Sequence, residues 1–345
     1  MERYPGGKHY LTYDTAMKQR FGKKIIKLSL NAGFTCPNRD GSKGAGGCIF
    51  CTASGSGDFS GNAMDSITVQ LQKEAERMHS KWPEHNSYIA YFQANTNTYT
   101  TAQTLSEKCA EALRFPGVVG ITLATRADCL SMDMLDYLSA LSKETFLTVE
   151  LGLQTIHDHT ARLLNRGHTL ADFLSGYAAL QKRNIPVTVH LINGLPGEDE
   201  QDMLQSARLT ASLHPSGVKL HMLHIMENSP LAVLYRKNPF PLLTRDTYVS
   251  LVCRQIAMFS PDTVIERVTG DGDSRFLIAP DWTRAKRGVL GAIDRYLRDH
   301  NLYEGDIFDP AKEPPVTRPM NKEEETGHTP FEKIDGKDQI PYDLA

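Results

Sequence analysis

The segment KIIKLSLNAGFTCPNRDGSKGAGGCIFC, residues 24–51, joins an apolar run to a glycine-rich loop that holds Cys36, Cys48 and Cys51 in a C-x11-C-x2-C pattern. The run Ile25 to Leu30 reads as a strand, so the three thiols follow a strand end and gather on one loop. Iron–sulfur clusters are held by Cys thiolates and normally use four, so a 4Fe-4S cluster on these three would leave one iron open to a non-protein ligand. Zinc also favours C-x2-C, but it needs four closed ligands, and no second C-x2-C or H-x3-H stands in register here. Nothing in the sequence points to an oxidising compartment, which disfavours a disulfide. Cys109, Cys129 and Cys253 are isolated, the pattern of small buried hydrophobes, and only Cys129 stands near a strand end.

Working outward, strand-like runs at 25–30, 88–93, 118–124, 145–151, 186–192 and 217–223 alternate with helical patterns. Ile67, Leu71, Ala75 and Met78, and then Leu135, Leu138 and Leu141, show the apolar spacing of helix faces, and Thr169 with Asp172 predicts a capped helix ending near Arg183. Six strand–helix units imply an α/β fold with a parallel sheet and outer helices, which fits a partial, open (β/α)6 barrel. In such folds the ligand sits at the C-terminal ends of the strands, the face on which the cysteine loop falls. Helices near 246–259 and 282–299 flank a short strand at 263–268. Residues 1–24 read as an irregular basic lead-in whose Tyr4, Tyr10, Tyr13 and Phe21 are set to pack over the mouth of the site, with stacking on bases as the alternative. Residues 25–309 read as one domain with a C-terminal extension, and 310–345, with EPPVTRP and NKEEE, as a disordered tail.

Of the 345 residues, 40% are hydrophobic, enough for a substantial core. No 18-residue apolar run and no N-terminal signal core occur, so we expect a soluble, cytoplasmic protein with no membrane partner. Residues 1–47 carry nine Lys or Arg against three acids, a net of +6, and a second basic group, Arg284, Lys286, Arg287, Arg295 and Arg298, falls on a late helix. Such stretches either contact phosphates or form a solvated face. No Walker loop and no G-x-G-x-x-G in strand-to-helix context is present, and GDGDSR from Gly270 lacks the length and terminal Glu of an EF-hand.

The cysteine loop resembles that of the radical S-adenosylmethionine (SAM) enzymes, whose pattern C-x3-C-x-aromatic-C is met here by Phe50 before Cys51, with eleven residues in place of three in the first gap. With NAGFTCPNRDG, GGCIFC and SGSGDF, the chain is similar to the YhcC/YtqA type of these enzymes. LATRADCL resembles the corresponding segment of the Elongator catalytic subunit, with Ala124 where that family has Glu, which leaves Arg126 and Asp128 as a polar pair. VELGLQTIHDHTARLLNRGHT resembles the fourth-strand signature of that subunit and of the oxygen-independent coproporphyrinogen dehydrogenases.

The resemblance implies a barrel of the radical SAM type, Cys36, Cys48 and Cys51 as ligands of a 4Fe-4S cluster, and SAM at the open iron. It places Gln154 and Arg166 at the SAM carboxylate, Phe50 near the adenine, Glu150 at the ribose or amino group, and Gln93 and Asn193 on the SAM-binding face. His190, His221 and His224 are further candidates for the pocket wall. The implied chemistry is one-electron cleavage of SAM, with an electron donor such as a flavodoxin or ferredoxin, followed by hydrogen abstraction from a substrate. The Elongator likeness suggests the 5-substituent of tRNA wobble uridine. The alternatives are a small molecule or peptide as substrate and, from another class, a non-catalytic metal-containing RNA-binding protein.

Overall fold

Each apolar run of the first two thirds of the chain forms a strand in the computed structural model, which describes residues 3–52, 55, 57, 60–270 and 272–309. These are β1 (Ile26–Leu30), β2 (Tyr88–Phe92), β3 (Val118–Thr125), β4 (Phe146–Gln154), β5 (Val187–Asn193) and β6 (Gly217–Met222). A two-residue strand β7 (Ile225–Met226) follows, then β8 (Val264–Arg267) and β9 (Leu277–Ala279). The main sheet runs β1-β2-β3-β4-β5-β6-β8 with every pair parallel. The short strand at the C-terminal side is therefore a seventh stave of the partial barrel. β7 and β9, too short to show a period in the sequence, pair antiparallel beside it.

Helices α1 (Tyr13–Phe21), α2 (Ile67–His79), α3 (Ala102–Leu113), α4 (Met132–Glu144), α5 (Asp158–Leu163), α6 (Leu170–Gln181), α7 (Glu200–Ser212), α8 (Pro230–Lys237), α9 (Arg245–Met258) and α10 (Lys286–Asp299) complete the order. The outward side chains of the strands, such as Leu28, Leu30, Leu123, Val149, Val189 and Leu220, join the helices in one core. Alternation along each strand then turns Lys27, Tyr91, Glu150, His190 and Lys219 toward the barrel interior. The capping box at Thr169 forms as expected, with Asp172 N–H donating to Thr169 and the Thr169 N–H to Asp172.

The lead-in differs from its sequence reading. Thr12 accepts from the Thr15 N–H at 3.1 Å and Gly22 closes the segment at φ 71°, so residues 13–21 are helical. Helix α1 packs with Met17 and Phe21 against Ile25, Ile89, Val119 and Phe146, which begin or precede the first four strands. Tyr13 and Phe21 thus pack at the base of the barrel instead of its mouth. Thr12 makes a parallel bridge to Ile265, whose N–H donates to the Leu11 carbonyl at 2.9 Å. The tail from 310 and part of SGSGDF lie outside the described residues.

Candidate active site

A cavity of ≈ 320 Å³ opens at the C-terminal ends of the strands. Of the nine site residues singled out above, Cys36, Cys48, Phe50, Cys51, Gln93, Glu150, Gln154 and Arg166 all line it. The exception is Asn193. On β5 the alternation turns His190 and Ile192 inward, so Asn193 faces the helical layer, where its amide exchanges hydrogen bonds of 2.8 and 2.9 Å with Gln255. Period two was the signal that separates these neighbours.

The loop from Pro37 to Gly47 folds on itself through backbone bonds, with Asn38 at its centre, and the Cys51 N–H donates to the Cys48 carbonyl at 3.0 Å. Among the described residues no three His, Cys, Asp or Glu side chains converge on a point that would hold a single metal ion. The three cysteines instead border one cavity, an arrangement suited to thiolates that each bind a different iron of one cluster. Cys48 receives N–H groups from Arg166 at 3.3 Å and Asn38 at 3.6 Å. Hydrogen bonding to Cys51 and the positive charge of Arg166 hold the Cys48 thiol well below its ordinary range, while the same pairing and burial push Cys51 up. Phe50 packs with Ile49 on a second apolar cluster around Leu164, Leu195 and Leu231.

Gln154 reaches the cavity through a local distortion. The register of β4 against β5 slips between Gly152 and Gln154, and Gln154 adopts φ 67°, which few non-glycine residues do. A Cβ on Gly152 would lie 2.6 Å from Gln154 Nε2, so glycine there leaves room for the amide. Gln154 Oε1 is buried without a partner. Arg166 spends Nη1 on Cys48 and Nη2 on the Gly152 carbonyl at 2.8 Å and on His168 Nε2 at 2.6 Å, while its buried Nε has no partner. Burial, with Arg166 and Arg126 nearby, lowers His168 to about 3, so its ring is neutral and accepts from the guanidinium. Arg126 and Asp128 form the ion pair that their spacing allowed, at 2.9 Å through two bonds, with Lys43 at 2.6 Å from Asp128.

Below this layer Glu150 is fully buried and already engaged. It accepts from Lys27 at 2.9 Å, Lys219 at 2.6 Å and Tyr91 at 2.5 Å, with His190 Nε2 at 3.0 Å. Burial alone would raise its pKa, but Lys219 and Lys27 hold it well below the carboxylate range. Lys27 also reaches Glu266 at 2.6 Å, and burial lowers Lys219 to about 8. This network is the part of the site that sequence reasoning missed. Its signal was a charge inside an otherwise apolar parallel strand, as in IIKLSL and GVKLHM, where both faces of the sheet are covered. Cys109 and Cys253 are buried, and Cys129 lies outside the cavity lining.

Comparison with known proteins agrees with this architecture. The model of the Radical SAM superfamily matches residues 35–210, and that of the Radical_SAM C-terminal domain matches 215–299. The chain belongs to the radical SAM superfamily, whose members are enzymes that use a 4Fe-4S cluster and SAM and require an electron donor. Within it, the chain is 44% identical over 87% of its length to the uncharacterized protein YtqA of Bacillus subtilis, covering 93% of that protein. It is 33% identical over 83% of its length to protein YhcC of Escherichia coli K12, covering 91% of that protein. Its fold is similar to the Elp3 of Methanocaldococcus infernus, with TM-score 0.60 and 14% identity, over 81% of this chain and 63% of that one. Among the described residues no helix is long and apolar enough to cross a membrane.

Proposed function

We propose that this cavity is the reaction chamber of the enzyme, with Cys36, Cys48 and Cys51 as the cluster ligands and Gln154 and Arg166 as the anchors of SAM. The observation that carries this reading is a pair of unpartnered atoms on two residues that line the same cavity as the cysteines. Gln154 Oε1 can only accept and Arg166 Nε–H can only donate. An α-amino acid head group needs one of each, an acceptor for its ammonium and a donor for its carboxylate. Buried polar atoms left unpaired are costly, so a ligand that meets both is favoured. Bound together, cluster and SAM supply one-electron cleavage of SAM and hydrogen-atom abstraction from the substrate.

The chain's own residues do the rest. N–H groups of Arg166 and Asn38 at the Cys48 sulfur tune the electron affinity of whatever it ligates. Phe50 and the apolar cluster behind it keep water from one wall. Gln93 borders the opposite side at the end of β2, and Glu150 fixes the floor by holding two lysines. Anaerobic reconstitution with iron and sulfide, reduction and SAM should yield 5′-deoxyadenosine. Yields no greater than those of Cys48→Ala across several reductants would remove the assignment.

For the substrate, the reading carried forward is the 5-substituent of tRNA wobble uridine. It is supported by the likeness of the β4 segment to the Elongator subunit. Against an RNA face stands the pairing of six of the nine basic residues of the first 47 with acids of the chain, namely Arg3, Lys8, Lys18, Lys24, Lys27 and Lys43. Mass spectrometry of nucleosides from total tRNA tests it directly. Deletion should cause an unprocessed 5-substituted uridine to accumulate, and an unchanged profile in a host that makes that precursor directs the search to small molecules and peptides.

A further inference from the structure

Eleven residues separate Cys36 from Cys48, eight more than the three of the common radical SAM pattern, and their course shows what the extra length reaches. The Lys43 N–H donates to the Pro37 carbonyl at 2.8 Å and the Gly41 N–H to the Gly44 carbonyl at 3.1 Å, so the segment turns back on itself at Lys43. Lys43 Nζ meets Asp128 at 2.6 Å. Asp128 stands just past the end of β3, and its side chain is only 4% exposed. Arg126 donates to the same carboxylate with Nε and Nη2, each at 2.9 Å. Its other terminal nitrogen, Nη1, donates to the Arg166 carbonyl at 2.7 Å. A continuous strap thus runs from the cysteine loop through Asp128 and Arg126 to the residue whose side chain touches Cys48.

The backbone that carries Arg166 follows helix α5, beyond the reach of its intrahelical bonds, and is held from outside. Leu164 accepts from the Ile49 N–H at 3.0 Å, Asn165 from the Asn38 amide, and Arg166 from Arg126. The Asn165 amide donates in return to the Ala45 and Gly47 carbonyls at 3.1 and 2.8 Å. Three successive carbonyls are therefore taken by donors of the cysteine loop and of the strap. The donor on Arg166 alone is a buried charge. Arg126 lines the cavity, and its fork matches a carboxylate as well as that of Arg166 does. Asp128 occupies one bidentate edge of that fork, Nε with Nη2, and the Arg166 carbonyl takes Nη1. Arg126 is thus committed within the protein, while Arg166 keeps a buried Nε without a partner.

We propose that Asp128 is a positioning residue for SAM: it holds Arg126 on the Arg166 carbonyl, which fixes the direction of Arg166 Nε, and it keeps the Arg126 fork from competing for the SAM carboxylate. Lys43 completes the strap, and reaching Asp128 is the task of the lengthened cysteine gap. This rests on Arg166 being the SAM anchor. The two ends of the strap differ in weight. Arg126 and Asp128 are buried, whereas Lys43 is 42% exposed, so water screens its bond and makes it worth less. Loss of Asp128 frees a buried guanidinium inside the chamber, and loss of Lys43 only loosens it.

The test is SAM binding by equilibrium dialysis, on the full chain reconstituted anaerobically with iron and sulfide and left unreduced. Asp128→Asn should weaken SAM binding about fivefold to tenfold, the scale of one hydrogen bond to a charged group, while iron and acid-labile sulfide stay at the wild-type level. Asp128→Glu, which keeps the charge, should restore most of the affinity. Equal affinity in wild type and Asp128→Asn overturns the proposal, and so does a loss that Asp128→Glu does not reverse. Should Asp128→Asn fail to fold or to retain iron, Lys43→Met decides. It should bind SAM about twofold to threefold more weakly, the scale of a partly exposed ion pair, and unchanged affinity there overturns the proposal. Wild-type protein that takes up no iron and sulfide, or takes them up and binds no SAM, removes the chamber reading and this proposal with it. Wild-type binding that Asp128→Asn leaves intact removes this proposal alone.

Discussion

The mouth and the floor of the barrel are made of the same strands yet treat polar atoms in opposite ways. At the mouth, Gln154 and Arg166 keep buried atoms without partners, and a residue in left-handed backbone sits at a strand end. On the floor, the Glu150 carboxylate meets four partners within 3.0 Å. Unmet hydrogen-bonding capacity marks where a ligand completes the structure, and met capacity marks where the structure completes itself. Among the described residues the floor departs from this at His221, whose Nε2 is buried without a partner.

This contrast separates loss of chemistry from loss of stability. The largest effect belongs to Cys48→Ala, which should abolish 5′-deoxyadenosine formation and the retention of iron and acid-labile sulfide, while leaving the unfolding transition of the metal-free protein in place. Glu150→Ala should do the reverse. It takes from Lys219 its close carboxylate and leaves Glu266 alone to face both lysines, and should cost about 3–5 kcal/mol in denaturant unfolding, because removing one partner leaves buried charge uncompensated. A Glu150→Ala protein as stable as wild type, but unable to bind SAM, would erase the distinction between mouth and floor. Arg166→Ala should weaken SAM binding about tenfold or more, the value of one charged hydrogen bond, measured by equilibrium dialysis. Asn193→Ala removes the donor to Gln255 Oε1, while Gln255 Nε2 keeps the Met203 carbonyl at 3.0 Å, so it should cost about 1–3 kcal/mol of stability and leave SAM affinity unchanged.

The smallest effect concerns the seal under the floor. Glu304 accepts from the Leu11 N–H at 2.7 Å and holds the lead-in in place. Burial, with Asp262 adding to it, pushes Glu304 up to about 8 from 4.5. The folded protein therefore keeps a proton that the unfolded chain has released. The stability contributed by Glu304 is full below pH 4.5 and declines as pH rises through the window from 4.5 to about 8. Glu304→Gln should flatten that decline, seen as a gain in melting temperature at pH 8 that shrinks toward pH 5.

How much of this was legible follows from the same physics. The six strands between residues 25 and 223 and most helices stood in the sequence, because apolar runs and three–four spacing report burial directly. The seventh stave lacked its place in the sheet, since a four-residue strand says nothing of its neighbours. Helix α1 was missed because its face toward the barrel is made of Met17 and two aromatics set among charges, and the Thr12 cap was the available sign. The spacing of the three cysteines singled out their loop, and all three border the cavity. Asn193 was assigned to the wrong face by its nearness to glycine, where counting in twos from His190 would have turned it outward. That Arg267 joins Glu266 on the inner face depends on one extra residue in the β8 ladder, which no periodicity reveals.

The join between the lead-in and β8 also orders events in time. Lys27 is made early, but its partner Glu266 lies 239 residues downstream, and Ile265, which docks on Leu11 and Thr12, comes beside it. During synthesis the first strands must wait with a lysine on their inner face until nearly the whole barrel has emerged. Closing that seam is a late, long-range step, so the opened barrel, with Lys27 still in water, is the intermediate to expect on the folding path.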